Sequence, residues 1–163
     1  MIKTTRFGNI EISEEAIITL PVGLLGFSND RLFVLLEDEV GSPFKWLQSI
    51  EKPNLAFVTI NPSLVITNYS LALSKEHLKK LEGDKIEDLA VHVIVTMTRD
   101  IKDVTINLQG PLIINHSKRL GMQLVIPDSP YSTRHPLFGD KLKLDGERTV
   151  QTEVTQERKA AVG

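Results

Sequence analysis

A chain of 163 residues is long enough for one domain with a real core, and a domain of this size buries roughly 70% of the surface its unfolded chain exposes. It contains no cysteine, which excludes disulfide scaffolds, thiolate zinc sites and cysteine nucleophiles. A formal charge of −2 argues against direct nucleic-acid binding, where lysine and arginine must neutralise phosphates, and suits a basic protein partner better.

In chain order, the polar start from Lys3 to Arg6 has no apolar leader-like stretch behind it, and no apolar run approaches the ~20 residues that span a bilayer, so the expectation is a cytoplasmic protein without membrane contact. Short apolar runs bounded by turn residues then predict strands over Ile2 to Phe7, Ile10 to Ile12, Ala16 to Leu20, Leu32 to Leu36, Phe44 to Ser49, Ala56 to Ile60 and Leu64 to Leu71. Ser74 to about Glu82 carries helix signals. Ser74 can cap the first turn, Glu76 sits near the positive end of the dipole, and Leu73 and Leu78 can pack as a staple; Leu78 and Leu81 make the inner face and Gly83 offers a left-handed stop. So short a helix needs a sheet to lie on.

After a weak turn at Lys85 to Leu89, strands are predicted over Val91 to Thr98, Val104 to Leu108, Leu112 to Asn115 and Gly121 to Ile126. In the first of these Val91, Val93, Val95 and Met97 are expected to face the core and His92, Thr96 and Thr98 to point away; Ile94 on the outward face hints that something covers it. Val104, Ile106 and Leu108 alternate with Thr105, Asn107 and Gln109 until Gly110-Pro111 breaks the pattern, since proline has no N–H for a ladder. The density of short strands predicts an all-β fold, a small β-barrel or pseudo-barrel of mostly antiparallel strands capped by one short α-helix. Residues 1–140 form this single domain. From residue 141 onward charges of both signs interrupt every apolar residue, and 141–163 read as a flexible C-terminal tail.

Catalytic chemistry is not signalled. His77, His92, His116 and His135 lie apart in sequence, with no histidine or carboxylate at metal-ligand spacing, so no metal or cofactor is expected. Gly23-Leu-Leu-Gly26 lacks the lysine and hydroxyl of a phosphate-binding loop and reads as a tight turn; no serine sits in a nucleophile elbow. What remains is protein binding. The run Glu37-Asp38-Glu39 reads as solvated loop charge or as a docking patch for a basic partner. Trp46, on the face of Phe44, reads as core or as a surface hot spot. Tyr69 and Leu71 lie in a segment that could be a barrel edge open to an incoming strand, or one the protein hides.

Five stretches occur in an order that resembles one family. They are Met1-Ile-Lys-Thr-Thr-Arg-Phe-Gly8, Leu20-Pro-Val-Gly-Leu-Leu-Gly-Phe27, Ser42-Pro-Phe-Lys-Trp-Leu-Gln-Ser49, Ala56-Phe57 with Asn61-Pro62, and the region from Val104 to Ile126; Tyr131 to Pro136 continue the likeness. Over roughly its first 140 residues the chain resembles the flagellar assembly factor FliW family. The resemblance implies a non-enzymatic cytoplasmic regulator that binds flagellin and antagonises the translational repressor CsrA. The rival from another class is a flavin- or small-ligand-binding barrel, since closed barrels often hold ligands.

Overall fold

The computed structural model describes residues 1–138 and the backbone of Glu153–Gln156. Its strands are β1 (Ile2–Thr4), β2 (Gly8–Ile10), β3 (Ile18–Thr19), β4 (Leu32–Glu37), β5 (Phe44–Ser49), β6 (Ala56–Ile60), β7 (Ser70–Leu73), β8 (Leu89–Thr96), β9 (Thr105–Ile106), β10 (Leu112–Asn115), β11 (Leu120–Gln123), β12 (His135–Pro136) and β13 (Glu153–Gln156). The α-helix α1 (Lys75–Lys80) follows β7. Seven strands close into a barrel in the order β3, β4, β5, β6, β8, β10, β11 and back to β3. Every neighbouring pair in the ring is antiparallel except β11 and β3, which meet in parallel at Leu120↔Thr19.

Closure gives the sheet two buried faces. Ile18, Leu20, Leu24, Phe33, Leu47, Leu112 and Ile114 fill the interior, with Phe57 and Ile94 against them. The outer core joins Val58, Ile60, Val91, Val93, Val95, Ile106 and Ile113 to Tyr69, Leu71, Leu73 and Leu81, so β7 and α1 roof one side of the barrel. Alternation along β8 assigns its two faces: Val91, Val93 and Val95 point to the outer core, while Ile94 packs inside. Burial of each large aliphatic side chain contributes about 1.5–3 kcal/mol, and both faces of the ring supply such residues.

Several sequence expectations are corrected here. The face of β8 expected to point outward is the barrel interior, so His92 is buried, whereas Met97 lies past the strand end and is exposed. The strand expected from Leu64 to Leu71 starts later, as β7, because Asn61-Pro62 opens a 3-10 turn in which the Asn61 side chain accepts from the Ser63 amide at 3.0 Å. At the N-terminus, Thr4 Oγ1 accepts the Phe7 amide at 2.7 Å and folds Ile2–Thr4 and Gly8–Ile10 into a hairpin. The helix ends at Lys80, two residues before the expected Glu82, and the left-handed stop falls on Glu82 rather than Gly83. Glu82 takes the left-handed conformation (φ 52) while Gly83 N–H bonds Leu78 C=O and Glu82 N–H bonds Lys79 C=O, the two bonds of a Schellman cap.

The helix start agrees with the reading of Ser74. Its hydroxyl accepts the His77 amide at 3.1 Å, and His77 Nδ1 accepts the Ser74 amide at 3.1 Å, so the imidazole completes the capping box. At the other end, buried Asn115 donates to the carbonyls of Leu81 and Glu82 at 2.8 and 3.1 Å, tying the helix C-terminus to β10. The expected tail, residues 141–163, lies outside the described residues except for Glu153–Gln156. That segment pairs in parallel with β7, from Glu153↔Ser70 to Gln156↔Leu73.

Candidate functional site

Four surface features compete as the site, and each follows from how local sequence shapes the barrel. The acidic run lies in the β4–β5 hairpin and divides into three roles. Glu37 binds the Lys45 ammonium at 2.7 Å across the strand pair. Asp38 accepts from Ser42 Oγ at 3.0 Å and from the Trp46 indole at 3.2 Å, which holds the turn closed. Glu39 makes no side-chain bond among the described residues and stands exposed. The run is thus partly structural, and its free charge resides in Glu39 and the rim of Glu37. Trp46 is half-buried against the outer core, with the Phe7 ring edge-on and the Arg6 guanidinium 4.1 Å above its centroid.

The second feature is β7. Tyr69 is fully buried, and its hydroxyl donates to the Leu108 carbonyl at 2.7 Å; burial pushes its pKa up, with Tyr131 adding to the shift. Leu71 is buried as well. Their side chains therefore belong to the outer core, and what β7 presents is backbone. Beside it runs a groove of about 360 Å³ between Ser70–Ala72 and the Ile126–Tyr131 loop, crossed by a bond from the Ser70 amide to the Tyr131 hydroxyl at 3.3 Å.

The third is a split in the barrel wall. Strands β6 and β8 pair only from Val58↔Val95 to Ile60↔Val93, after which Asn61-Pro62 carries the chain away while β8 continues to Leu89 bonded to β10 alone. The gap is a cleft of about 510 Å³ lined by Lys45, Thr59, Asn61, Leu64 and His92. His92 and His116, far apart in sequence, lie with ring centroids 6.1 Å apart. His92 Nε2 is buried without a hydrogen-bond partner, and burial, then His116 and Lys45, lower its pKa to about 4. His116 is lowered by burial, then Arg119 and Lys45. Among the described residues no three His, Cys, Asp or Glu side chains converge as metal ligands.

The fourth feature is the turn Gly23-Leu-Leu-Gly26, read as a tight turn from the sequence and found as one; what sequence reasoning missed is the apolar surface it exposes. Gly23 (φ +68) and Gly26 (φ +83) form a tight loop in which Leu24 and Phe27 bridge, Leu24 turns into the barrel, and Val22 and Leu25 stay 65% and 60% exposed. A Cβ at Gly23 would stand 2.3 Å from the Phe27 carbonyl oxygen, so this turn requires glycine. Gln123 Oε1 accepts the Leu25 amide at 2.9 Å and pins the tip to β11, near exposed Val125. The available signal was four apolar residues, Val22, Leu24, Leu25 and Phe27, around one tight turn, more than a turn can bury. Exposed apolar side chains on a pinned loop suit contact with another protein.

The model of the FliW protein family matches residues 1–137. The chain belongs to the FliW family. The flagellar assembly factor FliW of Natranaerobius thermophilus is 43% identical over 141 residues, covering 86% of this chain and 93% of that protein. The Geobacter sulfurreducens flagellar assembly factor FliW is 44% identical over 159 residues, covering 94% of this chain and 98% of that protein, a span that passes Phe138 into the C-terminal segment. A crystal structure of a flagellar assembly factor FliW superposes with a TM-score of 0.79 at 38% identity, covering 86% of this chain and 98% of that one. The barrel described above is therefore a FliW fold, and the expected mainly-β architecture with one short helix holds.

Proposed function

We propose that this FliW-family chain is a non-enzymatic, stoichiometric regulator of flagellar assembly that acts in the cytoplasm by binding two proteins in alternation. Flagellin occupies it while flagellin is abundant; when export drains that pool, the freed protein captures the CsrA translational repressor and lifts repression of flagellin synthesis. Family membership across residues 1–137 is the observation that carries this reading. The surfaces support it: a hairpin with exposed acidic Glu39 for a basic partner, and a pinned apolar loop at Val22 and Leu25 for contact area. The scheme needs no catalytic residue, only an unfavourable coupling between the two bound partners.

For a flavin- or small-ligand-binding barrel, Ile18, Leu20, Phe33, Leu47, Leu112 and Ile114 already fill part of the interior, and a ligand would have to use the cleft of about 510 Å³ beside His92. The test is a competition experiment in which the immobilised chain is loaded with CsrA-type repressor and challenged with flagellin. Flagellin is expected to displace the repressor in proportion to its occupancy. A stable ternary complex would refute alternation, and capture of neither protein would refute the reading as a whole.

A further inference from the structure

Strand β7 stands apart from the barrel ladder. Among the described residues its only backbone strand partner is β13, and it meets the barrel through the side chains of Leu71 and Leu73 in the outer core. Its edge would present a row of unpaired N–H and C=O groups if β13 left, which is the surface that strand-adding ligands use. The segment seated there is weakly suited to stay. Glu153-Val-Thr-Gln156 has one apolar residue and is followed directly by Glu157-Arg-Lys159, and a four-residue strand paired to a single neighbour is held by few backbone bonds. Because the segment belongs to the same chain, it competes intramolecularly with any incoming strand, which must exceed its effective concentration to displace it.

We infer that the edge of β7 is a strand-addition site for an extended peptide segment of a partner protein, running parallel to β7, and that the chain's own Glu153–Gln156 holds this site closed by occupying it. The parallel register from Glu153↔Ser70 to Gln156↔Leu73 defines the direction and length that an incoming segment must match. The neighbouring groove along Ile126–Tyr131 offers apolar and hydroxyl surface next to the edge. This deepens the protein-binding reading above, and its test stands apart from that reading because it uses neither flagellin nor repressor.

In a parallel ladder alternate residues of a strand bond to one neighbour, so the double substitution Val154→Pro, Thr155→Pro removes a donor to β7 whichever parity applies. The experiment uses the full chain. Amide hydrogen exchange is measured at Ser70–Leu73 in wild type and in the double variant, and a labelled synthetic peptide of residues 150–159 is titrated into each. The variant is expected to lose protection at those amides of Leu71–Leu73 that face β13, the Ser70 amide being held by the Tyr131 hydroxyl in both proteins, to bind the peptide about tenfold or more tightly than wild type, where the chain's own copy competes, and to regain protection when the peptide binds. A scrambled peptide is the control. Equal protection in both proteins would show that β13 does not close the edge; failure of the variant to bind the peptide, or equal binding by both, would show that the edge accepts no strand in trans. Exchange at Val91–Val95 in β8 reports whether the barrel itself stays folded in the variant.

Discussion

At position 92 the barrel interior holds an imidazole whose Nε2 finds no partner, next to His116 and under the field of Lys45. Its folded pKa, about 4, lies below the ordinary 6.5, so between these values the unfolded chain binds a proton that the folded chain refuses. Stability from this position is therefore complete above pH 6.5 and is lost as pH falls toward 4, by about 2 kcal/mol at pH 5. His116 and His135, also lowered, act in the same direction. Replacing His92 by Leu is expected to flatten the acid limb without lowering stability at pH 7, because it also removes an unsatisfied buried polar atom. Urea melts of both proteins at pH 7 and pH 5 check this; parallel losses would show that His92 is not the titrating group. The strand pattern around His92 was legible from the sequence, but its environment was not. Period-2 alternation separates two faces without revealing that the second face closes on itself.

Among elements, α1 shows how local rules identify a short helix and where they stop. Ser74, Leu73 and Leu78 behave as their positions predict, yet the reciprocal bond comes from His77 rather than a Glu or Gln, and Asn115 of β10 satisfies the terminal carbonyls. The first is a residue-type exception and the second a contact across 34 positions, beyond any local pattern. Ser74→Ala is expected to cost about 1 kcal/mol, the usual cost of a lost N-cap. Thermal melts give the loss, and Ser74→Asp, which can accept the same amide bond, is expected to recover most of it. If the Asp variant melts with the Ala variant, the hydroxyl is not acting as a cap. The β7 region was read less well for a related reason: the Asn61 side chain sets a turn that hydrophobicity from Leu64 to Leu71 conceals.

At the scale of the whole molecule, closure and the outer roof leave few exposed features with which a partner could be chosen, and the acidic hairpin is one of them. The sequence presented Glu37, Asp38 and Glu39 as equivalent charges; the fold separates them, because Lys45 and Trp46 reach across from β5 to bind the first two. Reversing all three would therefore open the hairpin through Asp38 and confound any binding result. The informative variant is Glu37→Gln with Glu39→Lys, leaving the bonds of Asp38 to Ser42 and Trp46 intact. If this hairpin steers a basic repressor, the variant associates roughly 3–10-fold more slowly at low salt and shows a shallower salt dependence, since rim charges act chiefly on encounter rate. Dissociation changes little, and flagellin binding changes less than repressor binding. A circular dichroism melt matching wild type establishes that the hairpin has survived. Association rates at low and moderate salt then decide the matter: identical rates and salt slopes would assign the run to solvation and turn-holding alone, and would direct the search for the repressor surface to the Val22 and Leu25 loop.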